Sequence, residues 1–367
     1  MSCPRVALLV FAATIASAAP LAAQAVPGTR AYVAAQSGWD ALRDGRHEAA
    51  AEAFALALDL EPRDPSLHLG AGMAAFLLGQ TTAARHSLER ALALAPSLTP
   101  ASLLLGDILY RTSDLDGAIR VYEAAAAYAP ANSTLAARLE ALRREAALHG
   151  SFFASQGSRF TVLFEGPSDE ALASHAIEVL ESAYWRIATA LSTYPDQTIT
   201  VVLYTQEQFR DITRAPQWAA AAYDGRIRIP ARGAAANSRE FERVLVHELT
   251  HALVQGVAPR GLPIWLHEGL AVVFEPDGAG WAEAQLARDT RRLPVGRLTG
   301  DFARLSTAEA RLAYAQSAAM VRALFEHNGA AAVGALLQDL ARGDAFADAF
   351  ERRFLIAYSA FVESLAR

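Results

Sequence analysis

From Ala31 to Asn132 the small and apolar residues return every 34 positions. Gly38, Gly72 and Gly106 share one column, Ala50, Ala84 and Ala118 a second, and Ala57, Ala91 and Ala125 a third. A large residue (Phe54, Leu88 or Tyr122) stands between the two alanine columns, and Pro62, Pro96 and Pro130 close the units. Gly45 and Gly79 mark a turn inside the first two units, where the third has Ser113. Small residues at such positions let two helices cross closely, so each unit predicts a helix pair, and stacked pairs bury one continuous core. Ser133 to Leu148 predicts one further amphipathic helix, with Leu135, Leu139 and Leu142 inward, sealing the last unit.

The pattern changes at His149-Gly150-Ser151, which reads as a domain junction. Arg159 to Glu165 alternates, with Phe160, Val162 and Phe164 on one face, and predicts a strand. Ser168 then caps a helix whose apolar stripe runs from Leu172 to Leu191, with His175 packed within it. A β-branched strand follows over Thr198 to Thr205, a short helix over Gln206 to Thr213, and a third strand over Gly225 to Ala231. Asn237 with Glu240 makes a capping-box-like start to the next helix, and Gly256 ends it. Beyond it the pattern is helical. Segments run from Trp281 to Arg292 and from Thr307 to Glu326, and Ala330 to Arg367 reads as two amphipathic helices.

The chemistry lies in Val244-Leu-Val-His-Glu-Leu-Thr-His-Ala-Leu-Val254. His247 and His251 are four apart, so both imidazoles leave one helix face a turn apart, the geometry for two nitrogen ligands on one tetrahedral zinc. Glu248 lies about 100° round the helix and flanks that metal, where a carboxylate can serve as general base toward an attacking water. Burying two imidazoles and a carboxylate in so apolar a helix without partners would cost several kcal/mol, and a metal is the simplest partner.

Pro263-Ile-Trp-Leu-His-Glu-Gly-Leu-Ala271 follows. H-E-x-x-H with a downstream W-x-x-E-G-x-A resembles the gluzincin metallopeptidases, the thermolysin-like clan, and is closest to peptidase MA-like domains of exported bacterial proteins. The resemblance is specific over Phe241 to Phe274. It implies that Glu268 is the third zinc ligand and leaves a fourth position to water. The metzincin alternative requires glycine at 254 and histidine at 257, where this chain has Val254 and Val257. In thermolysin-like sites an acid four residues after the ligand orients a histidine; here that residue is Val272, which leaves the orienting group unassigned. His267 is a rival ligand, since adjacent helical residues point about 100° apart and only one can face the metal. Glu268 is preferred because Gly269 would let its helix approach the first. Glu275 is the outside candidate for that ligand; before Pro276 it reads better as a surface or helix-end charge. The resemblance further implies that the third strand is the upper edge of a cleft that pairs with substrate backbone, with Arg226 and Arg228 alternating with Ile227 and Ile229 along it; the other reading is an internal strand with no substrate contact. It also implies that Tyr314, on a downstream helix, donates to the developing oxyanion; His327 is a weaker candidate.

The 34-residue units resemble tetratricopeptide (TPR) repeats. Such an array offers a concave groove to a partner protein or peptide, or serves as a spacer. The expected architecture is therefore an α-solenoid followed by an α+β zincin-like metallopeptidase domain over residues 151–367, with Zn2+ as cofactor and a peptide or protein as substrate. His47, His68 and His86 fall on repeat helices as ordinary surface or packing residues.

Composition narrows this picture further. The 367 residues contain no lysine and carry a formal net charge of −6, which offers no basic field for nucleic acid. Met1 to Ala25 reads as a cleavable export signal: Arg5, an apolar run from Val6 to Ala19, then Ala23-Gln-Ala25. Cleavage would leave no membrane span and a periplasmic or secreted protein. It would also remove Cys3, the only cysteine, so any metal must be held by histidine and carboxylate. Two other readings stand beside the peptidase: a TPR adaptor with a structural or inactive zincin-like domain, and a hydrolase of non-peptide amides on the same metal scaffold.

Overall fold

The 34-residue recurrence is the recurrence of one contact. In the computed structural model, which describes residues 29–195, 198–213, 221–231, 238–289 and 291–364, the large residue of each unit lies on that unit's glycine. A Cβ on Gly38 would come within 2.9 Å of the Phe54 ring, and one on Gly72 within 2.8 Å of Leu88. Gly106 meets the Tyr122 ring more closely still. That ring is fixed, because its hydroxyl donates to Asp107 at 2.6 Å and to the Leu103 carbonyl at 3.2 Å. Three helix pairs result: α1 (Arg30–Arg43) with α2 (His47–Leu60), α3 (Pro65–Leu77) with α4 (Thr81–Leu94), and α5 (Thr99–Arg111) with α6 (Leu115–Tyr128). Gly45 and Gly79 turn within their pairs at φ +74°, and Ser113 adopts φ +65° without being glycine. Helix α7 (Ser133–His149) buries Leu135, Leu139 and Leu142 against the last pair.

The chain divides into two compact units at Gly150 and Ser151. The second unit holds a five-stranded sheet of order β1-β2-β3-β5-β4. Its strands are β1 (Phe153–Gln156), β2 (Phe160–Phe164), β3 (Ile199–Tyr204), β4 (Ala222–Tyr223) and β5 (Ile227–Pro230). The three central strands run parallel, and β1 and β4 flank them antiparallel. Helix α8 (Glu170–Leu191) starts after a short 3-10 turn over Pro167–Asp169, so the helix begins one residue later than a Ser168 cap implies. Its stripe packs Leu180, Ala183 and Ile187 into one core with Phe160, Val162, Val201 and Ile227. Helix α9 (Gln206–Thr213) sits beside β3 and β5.

The third strand takes the internal place and not that of a pairing edge. Strand β5 is not an edge, because β3 lies on one side and β4 on the other. Arg226 and Arg228 are both buried, and Arg228 pairs with Asp224 at 3.1 Å and donates to the Tyr204 hydroxyl at 2.7 Å.

The remainder is helical: α10 (Arg239–Val257), α11 (Ile264–Phe274), α12 (Gly278–Arg288), α13 (Val295–Leu298), α14 (Thr307–Asn328), α15 (Ala330–Ala341), α16 (Phe346–Phe354) and α17 (Tyr358–Ser364). Ser238 caps α10, whereas Asn237 lies outside the described residues, as does the expected export signal. Gly256 lies inside the last turn of α10, which runs to Val257. The expected Trp281–Arg292 helix is displaced toward its N-terminus. The C-terminal region forms three helices, not two, because Gly343 and Leu355 take positive φ and break the run. No described helix is long and apolar enough to cross a membrane.

Candidate metal centre

Helix α10 is buried on all sides from Val244 to Val254, so its polar residues have to be satisfied inside the protein. One turn of helix separates His247 from His251, and their rings meet edge to face at 4.7 Å. Helix α11 brings Glu268 to the same place. Its Oε2 lies 3.5 Å from His247 Nε2 and 3.5 Å from His251 Nε2. Four ligands about 2.0–2.1 Å from a tetrahedral zinc stand about 3.4 Å apart, so the spacing suits one cation. The observation that decides the fit is the absence of other partners. His247 Nε2, His251 Nε2 and Glu268 Oε2 are all buried and have no hydrogen bond. Leaving three such atoms unpaired is costly, and a single cation satisfies all of them. Among the described residues this is the group of His, Cys, Asp and Glu side chains whose ligand atoms converge.

The Gly269 expectation needs correcting. A side chain there would collide with the Ser317 carbonyl of α14, so the glycine permits close approach of α11 to α14 and not to α10. Glu268 is thus fixed from behind, by the helix on its far side. His267 lies parallel on the His251 ring, 4.3 Å between centroids and 6° between planes, and is not part of the converging group.

Glu275 is where the sequence reading was most mistaken. It is buried, and its Oε1 accepts from His247 Nδ1 at 2.5 Å while its Oε2 accepts from Arg243 Nη1 at 3.0 Å. This is the histidine-orienting carboxylate that Val272 could not supply. Glu268, Val272 and Glu275 are spaced i, i+4, i+7 on one helix face, so the acid has moved down the same stripe by about a turn. That spacing was visible in the sequence.

Glu248 is fully buried, and neither carboxylate oxygen has a partner. The protein groups around it divide the titration. Burial, reinforced by the neighbouring carboxylates Glu268 and Glu275, pushes Glu248 up to about 8. Burial opposes the His247 imidazolium, but the carboxylates of Glu268 and Glu275 beside it outweigh burial and raise that group to about 10. Burial lowers His251. His267 falls to about 3, through burial first and then the His251 charge. Glu268 is held well below the usual carboxylate range: burial works against its charge, but His251 and His247 overcome it.

Tyr314, on α14, is buried with its ring 6.4 Å from the His247 ring and wedged by Phe302 at 5.3 Å. The structure therefore brings it to the centre. His327 is exposed and bonds the Ala323 carbonyl at 2.8 Å, as a helix-end residue does. His175, on α8, bonds Glu242 at 3.1 Å.

Residues 181–363 match the family model of the Peptidase MA superfamily. Residues 36–99 and 78–133 match that of the tetratricopeptide repeat. Among solved structures, the first TPR of Spaghetti (RPAP3) bound to HSP90 peptide SRMEEVD is similar over 32% of this chain and 96% of that one, at 24% identity and a TM-score of 0.31. No curated protein is significantly similar to the chain in sequence.

Proposed function

Because the chain carries a Peptidase MA superfamily domain behind tetratricopeptide repeats, we propose that it is an exported zinc metallopeptidase that hydrolyses peptide bonds. One observation carries the reading. Three buried ligand atoms, from His247, His251 and Glu268, converge without protein partners, beside Glu248, whose two oxygens have none either. His247, His251 and Glu268 would hold the zinc, which when bound would supply Lewis acidity toward a carbonyl and a water. Glu248, whose two buried oxygens have no hydrogen-bond partner, would take the proton of an attacking water and hand it to the leaving amine. Glu275 holds His247 in the tautomer that turns Nε2 toward the centre. Tyr314 is the chain's candidate donor to the oxyanion.

Met1 to Ala25 directs export to the periplasm or the exterior, and the repeats dock a protein partner or the substrate itself. Three protein ligands leave a coordination position for chemistry, whereas a structural zinc site is closed by four. That, together with Glu248, favours an enzyme over an adaptor with structural zinc.

The test is metal content and cleavage measured together on the full chain. One zinc per molecule is expected, with hydrolysis of members of a mixed peptide library that chelation abolishes and added zinc restores. Tight zinc without cleavage of any peptide would turn the reading to the adaptor, or to a hydrolase of non-peptide amides. A protein that takes up no zinc would sink the peptidase and the other hydrolase and leave an adaptor with an inactive zincin-like domain.

A further inference from the structure

Behind the ligands runs a chain of charged groups that ends at the surface. Glu240, Arg243 and His247 are spaced i, i+3, i+7 along α10 and share one face. Arg243 grips the exposed Glu240 as a fork, with Nη2 at 2.7 Å and Nε at 3.1 Å. Its remaining Nη1 donates inward to Glu275 Oε2 at 3.0 Å, and the other oxygen of Glu275 takes the His247 Nδ1 proton at 2.5 Å. The side chains become less exposed along this line, from 55% for Glu240 through 18% for Arg243 and 5% for Glu275 to 2% for His247.

We propose that Arg243 is a positioning residue for the metal centre, acting on His247 through Glu275. The inference rests on the zinc reading above. Glu275 stands at the C-terminal end of α11, and a carboxylate on a flexible side chain can turn about its last torsions. With only the imidazole bond it could rotate away from His247. The Arg243 bond on its second oxygen fixes the plane of the carboxylate, and the Glu240 fork fixes Arg243. The guanidinium also offsets a carboxylate that would otherwise be buried next to two others. The His247 ring is thereby held with Nε2 toward Glu268 and His251. Loss of such supporting partners typically lowers metal affinity or activity by about 10–100-fold.

The experiment is zinc affinity of the full chain, by competition with a chromophoric chelator, with melting of the zinc-free proteins measured alongside. Arg243→Met keeps the packing stem and removes the donors, and should weaken zinc about 10-fold or more. Arg243→Lys restores a charged donor and should recover most of that loss. Glu275→Gln should weaken zinc on its own, and adding Arg243→Met to it should cost nothing further, because the route through Glu275 is already cut. If Arg243→Met does not fold, Arg243→Gln is read in the same assay. Unchanged zinc affinity in the folded Arg243 variant, or independent and additive losses in the double variant, overturns the proposal. A wild-type chain that binds no zinc would instead defeat the metallopeptidase reading itself.

Discussion

Glu248 and Glu268 look alike in sequence, each beside a histidine in an apolar helix, and the structure separates them by their surroundings. Glu268 has one oxygen 3.5 Å from both imidazole Nε2 atoms, whereas both oxygens of Glu248 are without partners. A ligand contributes a direct bond to the metal, while a general base meets only the water. Glu268→Ala should therefore lower zinc affinity steeply, and activity with it. Glu248→Ala should keep zinc near wild-type occupancy while turnover falls about 10²-fold or more. Elemental analysis after dialysis, combined with peptide turnover, reads both. Full zinc in Glu268→Ala would pass the third bond to a neighbour such as His267. Undiminished turnover in Glu248→Ala would end the enzyme reading. His247 and His251 were legible because helical spacing puts them on one face, and Glu268, on the next helix, was legible only through the motif that carries the family resemblance. Glu275 was not, because a proline neighbour suggested an exposed helix end, and its burial depends on how α11 lies against α10 and Arg243.

At the level of elements, the C-terminal helices are joined by charge as well as by apolar packing. Asp339 of α15 is buried and receives Arg353 through Nε and Nη2, both at 2.6 Å, Arg352 at 3.0 Å, and Arg342 from its own helix. The Arg353 hydrogen bond, more than any other factor, lowers the Asp339 carboxyl from 3.8 to about 2. The folded value is depressed, so the stabilisation is present above the ordinary carboxyl range and is lost as pH falls from about 4 toward 2. Asp339→Asn should lower the melting temperature by a few degrees at pH 7, and the gap to wild type should close on acidification over that range. A constant gap would mean that the ion cluster carries no net stability. The sequence did not show this junction, because Leu355 reverses the chain at φ +58° where a glycine would have marked the turn. Strands β1 and β4 escaped for a related reason. Phe153–Gln156 is mostly exposed and Ala222–Tyr223 has only two residues, so each is a strand by virtue of its partner and not of its own alternation. Strand β2 alternates strictly and was legible. Gly269 signalled a close helix approach, but nothing local says which of two neighbouring helices comes near.

At the scale of the whole molecule, the break at Gly150 separates two complete pieces of physics. The repeats have their own apolar clusters, with Phe54, Leu88 and Tyr122 seated on their glycines, and α7 covers the face that a fourth pair would have covered. The unit from Ser151 onward has the sheet, a single apolar core from Phe160 to Phe361, and every residue that converges on the metal centre, including Glu275 and Arg243. Among the described residues, His247, His251, Glu268 and the Glu275 beside them all belong to this unit. A chain beginning at Ser151 should therefore fold, bind one zinc with the affinity of the full protein, and melt in a single transition. The full chain should show two, of which only one responds to zinc, because a ligand stabilises only the unit that binds it. Calorimetry with and without metal distinguishes these outcomes. If the shorter chain is insoluble or metal-free while the full chain is neither, or if zinc raises both transitions together, the repeats belong to the folding unit of the metal domain and are more than an appended docking module.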